Sequence, residues 1–406
     1  MGTDGVGQPL ARDLPDRLWD AVVVGAGPAG SACALRLAEQ GHAVALVDRE
    51  SFPRSKVCGG GLIADAVAAL ARLGVLDDVQ AAAHPLDTLS LFSPSQIEVR
   101  AHGAYLTLER ADLDAILARC ATKAGAHLCR GTVEAVTVDP SGAAVARVAG
   151  GPALRARVAV LATGARLALP ARLGMVPPSH AAPDAVAVCR IVRSHAQIDR
   201  LVASFDRSVL PGYAWIFPLG GGRYNLGCGI FHRSSRKAPP DLKQTLDAFV
   251  REFPLAREVL ARAEAVGPLR GAPLRCGLRG AAPLAAGPVL AVGETIGATF
   301  PFTGEGIGKA LHTGELAARA IDVALVRGDL GALRCYPDAL DAELRPKYWG
   351  YEIAEAWIRW PWLIDFMSRR VKKSRHLQAA ARGILQETTD PRSIFSVAGI
   401  VQSLRS

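Results

Sequence analysis

The stretch DAVVVGAGPAG at residues 20–30 decides the fold. An apolar run at 20–24 passes without a spacer into Gly25-Ala26-Gly27-Pro28-Ala29-Gly30, and a helical pattern follows at 31–40. Strand, glycine turn and helix in that order open a dinucleotide-binding unit. Gly25 permits the tight turn, Gly27 lets the backbone approach a pyrophosphate, and Gly30 lets helix and strand pack closely, while the helix N-terminus offers free N–H groups and a positive dipole end. A second apolar run at 43–47 ends in Asp48, eighteen residues after Gly30. A carboxylate there accepts the hydroxyls of the adenosine ribose.

Such a fingerprint holds either NAD or FAD, and more distant segments choose FAD. Residues 159–161 run into Ala162-Thr163-Gly164, a strand-end glycine turn of the kind that packs beside the first phosphate loop in flavoproteins. A third apolar strand, 289–292, ends in Gly293-Glu294 and is followed by Pro301-Phe302-Thr303-Gly304-Glu305-Gly306 and a helical pattern from Ile307 to 320. A nicotinamide enzyme needs neither segment.

Composition limits the remaining choices. The chain has 406 residues, half of them hydrophobic, with 41 glycines and a net charge of +9. That suits a large α/β enzyme of more than one domain. No uncharged apolar run approaches the roughly 18 residues a membrane-spanning helix needs, and the first 18 residues carry too many charges for a secretory signal. The eight cysteines are scattered without metal-ligand spacing, so no metal site is expected and a reduced cytoplasm fits.

The charge is concentrated late. Nine basic and three acidic residues fall between 345 and 382, among Trp349, Trp357, Trp360 and Trp362. Tryptophan beside a basic run is the composition of a helix lying on an anionic membrane surface. The other reading is a C-terminal helix covering a substrate cavity with its charged face in water. No nucleic-acid-reading module accompanies the charge, so nucleic acid is not an expected partner. The expected location is cytoplasmic, at most peripheral on the inner membrane face.

The fingerprint with Asp48-Arg49, the loop 53–61 (PRSKVCGGG), the segment 212–218 (GYAWIFP) and the turn 293–308 together resemble the geranylgeranyl reductase family. This is a branch of the FAD enzymes related to aromatic hydroxylases and flavin halogenases. The resemblance implies a glutathione-reductase-like FAD-binding Rossmann domain, assembled from 19–75, 105–170 and 275–335. A mixed β-sheet substrate domain would be inserted at 76–104 and 171–274, with a helical C-terminal segment at 336–406 and a loose arm at 1–18. It also implies that Arg49 flanks the adenosine and that Arg110 reaches the flavin phosphate or ribityl chain. Glu294 would meet the ribityl chain, Lys56 and Cys58-Gly59-Gly60 would lie by the isoalloxazine, and the Gly304–Gly306 turn would offer N–H groups to the flavin pyrimidine.

Two positions depart from the family pattern: Glu294 stands where Asp is usual, and Thr163-Gly164 where the hydroxylase branch has Asp-Gly. Tyr213, Trp215 and Phe217 alternate along a strand and so share a face, read either as the wall of an apolar substrate pocket or as plain core. The implied reaction is reduction of carbon–carbon double bonds in a prenyl or other apolar substrate by hydride from flavin N5. Cys58 and Tyr213 are the candidate proton donors, with ordered water as a third. Cys58 reads equally as a small buried hydrophobe. The alternatives are a flavin monooxygenase or dehydrogenase of a secondary metabolite or carrier-bound intermediate and, more remotely, a non-catalytic flavin- or lipid-binding protein. No second GxGxxG is present, so the expected reductant is NAD(P)H visiting transiently or a protein electron carrier.

Overall fold

The computed structural model describes residues 8–231, 241–285 and 287–392. Its first sheet has seven strands. Four run parallel in the order His127–Arg130, Val44–Asp48, Leu18–Val24 and Ala153–Leu161. The far edge of Ala153–Leu161 is shared by the hairpin Val133–Val138/Ala144–Val148 and by the parallel strand Val289–Ala291. Val22, Val23, Leu46, Val160 and Leu290 are fully buried, which is why these runs are apolar on both faces rather than alternating. Helix Pro28–Glu39 packs against the long helix Ile307–Arg327 and against Arg110–Lys123.

Parallel topology brings the glycine turns together. The strands ending at Val24, Asp48, Leu161 and Ala291 point the same way, so the turns that follow them open at one edge of the sheet, where such folds bind their ligands. The ladder continues into the turns: Gly25 N–H donates to Val47 O at 2.7 Å, Ala162 N–H to Val24 O at 2.8 Å, and Val292 N–H to Leu161 O at 3.0 Å.

The second sheet has nine strands. It runs from Gly61–Leu62 through Glu98–Thr107, His84–Phe92, Leu201–Ser204, Gly212–Gly220 and Arg223–Phe231 to Ala185–Ser194, whose free edge carries Ala263–Val266 and Arg270–Leu274. Helices Leu242–Glu252 and Pro254–Ala261 cover its outer face. Asp241 caps the first, accepting from Lys243 N–H and Gln244 N–H. Ala214 and Ile216 pack with Phe249 and Phe253 under these helices, while Tyr213, Trp215 and Phe217 face the other way. Helices Arg345–Trp357, Pro361–Lys373 and Arg375–Leu385 then cross the cleft between the sheets.

Several expectations need correction. The arm is not loose where it is described. Pro9 O accepts from Arg130 N–H at 2.8 Å, Leu10 bridges Arg130, and Ala11 is buried, because the edge strand His127–Arg130 leaves its outer hydrogen-bonding groups free. The boundary at 104/105 cuts through Glu98–Thr107, which belongs wholly to the second sheet, as does Gly61–Leu62 from the first expected FAD-domain piece. Pro254 reads in the sequence as opening a helix that runs to Ala265; the helix stops at Ala261, and Ala263–Val266 is an edge strand. Leu169-Pro170, which the sequence reads as a break in the chain, lies inside the short helix Ala168–Arg172. Residues 237–240, whose prolines read in the sequence as a loop, lie outside the described residues.

Candidate active site

One cavity of about 910 Å³ runs from the carboxyl ends of the parallel strands to the C-terminal helices. Asp48 and Arg49 line one end, Gly27 and Arg110 the middle, and Tyr213, Trp215 and Phe217 the far wall. Most of the sequence-derived site residues share this cavity: Gly25, Gly27, Pro28, Ala29, Asp48, Arg49, Lys56, Cys58, Gly59, Gly60, Arg110, Thr163, Gly164, Glu294, Gly304, Glu305, Gly306 and Ile307. Gly30, Gly293 and Pro301 do not line it.

The roles of those three are structural. A Cβ on Gly30 would stand 1.8 Å from Gly25 O, so only glycine lets the helix start against its own turn. Gly293 has φ +65° and donates its N–H to Thr313 Oγ1 at 2.9 Å, tying the third strand end to helix Ile307–Arg327. Pro301 is buried at the start of the turn.

The charged end is built on helix Pro28–Glu39, whose N-terminus has no side-chain cap. Its free N–H groups face Gly27. A Cβ on Gly27 would meet Arg54 Nη2 at 3.7 Å and Arg110 Nη2 at 3.8 Å, so two guanidinium groups flank the bare turn. Asp114, fully buried, holds both: it accepts from Arg110 Nε at 2.7 Å and Nη2 at 2.8 Å, and lies 3.1 Å from Arg54 Nη1. Burial pulls the Arg110 pKa down, but Asp114 outweighs it and keeps the pKa above its ordinary value. Arg54 Nε is buried without a hydrogen-bond partner among the described residues.

An uncapped helix N-terminus, a bare glycine and two fixed cations with a free donor fit a diphosphate. Asp48 has a second duty unforeseen from sequence: its Oδ2 accepts from Ala26 N–H at 2.8 Å, so it also pins the glycine turn. Arg49 remains half-exposed beside Glu50.

At the middle of the cavity Lys56 Nζ is 3.9 Å from Glu294 Oε2, and Glu294 Oε1 accepts from Arg275 N–H at 3.4 Å. Thr163 Oγ1 donates to Arg166 O at 2.7 Å. Cys58 Sγ accepts from Gly60 N–H at 3.4 Å, and the loop is fixed from the second sheet: Trp215 Nε1–H donates to Asn225 Oδ1 at 2.9 Å, and Asn225 Nδ2–H donates to Cys58 O at 2.8 Å. Phe217 packs on the loop so tightly that a Cβ on Gly59 or Gly61 would lie 3.1 Å from its ring. Tyr213 gives its O–H to Thr303 O at 2.5 Å, and burial pushes its pKa up.

Sequence reasoning missed Arg54, Asp114, Asn225 and a buried cluster around Lys309. Arg54 lay inside a loop already singled out, and its cationic type beside the fingerprint was the available signal. Asp114 stands one helical turn after Arg110, at the i,i+4 spacing of an ion pair. Neither Asn225 nor the Lys309 cluster had any local signal.

The fold and the site together define a flavoprotein oxidoreductase of the glutathione-reductase-like class. Residues 20–179 match the family described as lycopene cyclase protein. The menaquinone reductase of Mycolicibacterium smegmatis is 34% identical over 319 residues, covering 74% of this chain and 75% of the relative. Digeranylgeranylglycerophospholipid reductase 1 of Methanopyrus kandleri is 32% identical, covering 81% and 88%. A geranylgeranyl bacteriochlorophyll reductase-like protein of Thermoplasma acidophilum superposes with a TM-score of 0.76 at 19% identity over 96% of each chain and shares the fold. The chain belongs to the geranylgeranyl reductase family of FAD-dependent oxidoreductases and is an enzyme. No helix among the described residues is long and apolar enough to cross a membrane.

Proposed function

We propose that the enzyme reduces carbon–carbon double bonds in the prenyl chain of a lipid. The observation that carries this reading is the shape of the cavity. A phosphate-binding end leads past the Cys58 loop to a wall of Tyr213, Trp215 and Phe217, and Ile364, Met367, Val371 and Leu385 from the C-terminal helices roof it. A long apolar chain fits such a space, and a small polar metabolite leaves most of it unmatched. The relatives whose names specify menaquinone and digeranylgeranylglycerophospholipid reductases support the same substrate class.

Bound FAD supplies a hydride donor at N5 once reduced. Gly27, Arg54 and Arg110 would hold its diphosphate, Asp48 and Arg49 would meet the adenosine, and Glu294 with the Gly304–Gly306 turn would meet the ribityl and pyrimidine portions. The Cys58 loop lines the cavity together with the phosphate-binding turn and the aromatic wall. The aromatic wall aligns the chain and excludes water, which an isolated alkene requires because it accepts hydride only as a proton arrives. The reductant is NAD(P)H or a protein electron carrier that visits without a resident site.

The C-terminal helices also point to where the substrate enters. Trp357 is turned inward over the cavity, whereas Trp349, Ile353, Trp360 and Trp362 are 38–65% exposed, and the last turn of Pro361–Lys373 carries Arg370, Lys372 and Lys373. This aromatic and cationic outer face suits an anionic lipid surface. Anionic vesicles should sediment the protein and zwitterionic ones should not; equal recovery with both would remove the membrane reading.

The reaction is tested by anaerobic incubation of reduced holoenzyme with prenyl lipids, quinones and carrier-bound thioesters, read by mass spectrometry. The expected product gains one H2 for each bond reduced. A product formed only when oxygen is admitted, and heavier by oxygen, would make the enzyme a monooxygenase.

A further inference from the structure

Reduction of an alkene needs an acid as well as a hydride, and one carboxyl group in the cavity has no other assignment. Glu305 stands in the turn that opens helix Ile307–Arg327, and the surface it exposes lines the cavity. Its backbone O accepts from Phe300 N–H at 2.8 Å, which fixes the turn. Its Oε2 is buried and has no hydrogen-bond partner among the described residues.

The cation beside it is already engaged. Lys309 Nζ lies 2.8 Å from Asp65 Oδ2 and is paired with Glu387, and Glu387 in turn lies 2.6 Å from Lys347 Nζ. Two ammonium groups and two carboxylates therefore balance one another and leave no counter-charge for a third carboxylate. The other titratable groups facing Glu305 from the packed elements are the phenols Tyr105, Tyr213 and Tyr351, whose own pKa values the Glu305 carboxylate helps to raise. Burial, and then Asp65 and Glu387, push the Glu305 pKa well above the usual carboxyl range against the pull of Lys309. Tyr213, by contrast, is a weaker acid than an ordinary phenol, and its proton is directed at Thr303 O.

We propose that Glu305 is the catalytic acid, holding a carboxyl proton in the cavity and delivering it to the alkene carbon next to the one that receives hydride. This rests on the alkene-reductase reading above. In the step, the Glu305 O–H bond breaks and the π pair forms a C–H bond at one carbon. The other carbon takes a hydride from two-electron-reduced flavin. The carboxylate left on Glu305 regains a proton from solvent, and a reductant of the NAD(P)H or protein-carrier class restores the flavin.

Three readouts test it. In the infrared, the flavin-loaded parent should show a carboxylic-acid band at neutral pH that Glu305→Gln lacks. Glu305→Asp, one methylene shorter, should shift that band, and it carries the test if the amide variant does not fold. An acid whose folded pKa is raised keeps its proton more tightly in the folded chain. Parent stability therefore falls as pH rises from the ordinary carboxyl value toward the raised one, and Glu305→Gln does not share the loss. Its Tm should gain on the parent's as pH rises above the ordinary carboxyl range.

In anaerobic single turnover Glu305→Gln should keep its flavin and lose roughly 10²–10⁴-fold in alkene reduction. An ionised Glu305 at neutral pH, or turnover by Glu305→Gln at the parent rate, would overturn the assignment. A parent enzyme that reduces no prenyl alkene would instead overturn the function proposed above, and the infrared and melting results would still report on the proton.

Discussion

The two ends of the cavity are built by different means. At the nucleotide end, cations, a helix N-terminus and bare glycine backbone are set by a few short turns, and Asp114 locks Arg54 and Arg110 in place. At the apolar end the wall comes from the second sheet and the roof from helices some 150 residues further along the chain. The first arrangement recognises a fixed group with directed hydrogen bonds, whereas the second accommodates a class of molecules by area and shape. Changes at the nucleotide end should therefore remove the cofactor, and changes at the apolar end should alter the substrate while leaving the cofactor bound.

The sharpest way to break that division is Gly30→Ala. Its Cβ would meet Gly25 O at 1.8 Å, a backbone atom that cannot move without opening the turn. The variant should purify without flavin and with strongly reduced Tm, and a yellow, stable protein would show that the turn is more pliable than described. Next comes Arg110→Met, which leaves Asp114 buried with Arg54 alone. Removing one partner of a buried pair costs about 3 kcal/mol or more. Both the Tm and the FAD affinity should fall, the latter by roughly 10- to 100-fold for one lost charge-assisted hydrogen bond.

At the other end Trp215→Ala should lose about 3 kcal/mol of stability. It removes the bond to Asn225 that holds Cys58 O, so turnover should drop while flavin content per folded chain stays near that of the parent.

Smaller effects concern the roof. Asp365 accepts from Ser93 Oγ at 2.5 Å, Ser95 N–H at 2.8 Å and Ser95 Oγ at 2.7 Å, which pins helix Pro361–Lys373 to the second sheet. Burial raises the Asp365 pKa, but these bonds outweigh it and hold the pKa below the ordinary aspartate value. The stabilisation is fully present above the unfolded-state pKa and is lost as pH falls through the lower, folded one. Proteolysis within 361–385 should therefore increase at acid pH, and Asp365→Asn should show the increase already at neutral pH. The smallest change is Trp362→Ser, which should alter folding stability by no more than about 0.5 kcal/mol yet weaken binding to anionic vesicles.

The same contrast explains what the sequence made legible. Residues 20–30 are contiguous, and each glycine answers a local demand of turn or helix packing, so the nucleotide end could be read directly. The facing of Tyr213, Trp215 and Phe217 followed from the strand period of two. The Glu305 environment could not be read, because Asp65, Lys309, Lys347 and Glu387 span more than 320 residues and meet only through tertiary packing. The arm at 8–17 was misjudged for a related reason: its polar composition hid an edge strand waiting for a partner. The inward turn of Trp357, beside Trp349 and Trp360 facing out, likewise depends on where the helices cross the cleft.

The most direct test of the account is anaerobic stopped-flow mixing of the chemically reduced holoenzyme with a prenylated quinone, followed at the flavin absorbance. Reoxidation of the flavin by the prenyl substrate alone, one equivalent per double bond saturated, is the predicted result. Flavin that stays reduced with every prenyl lipid and reoxidises only on admission of oxygen would contradict it.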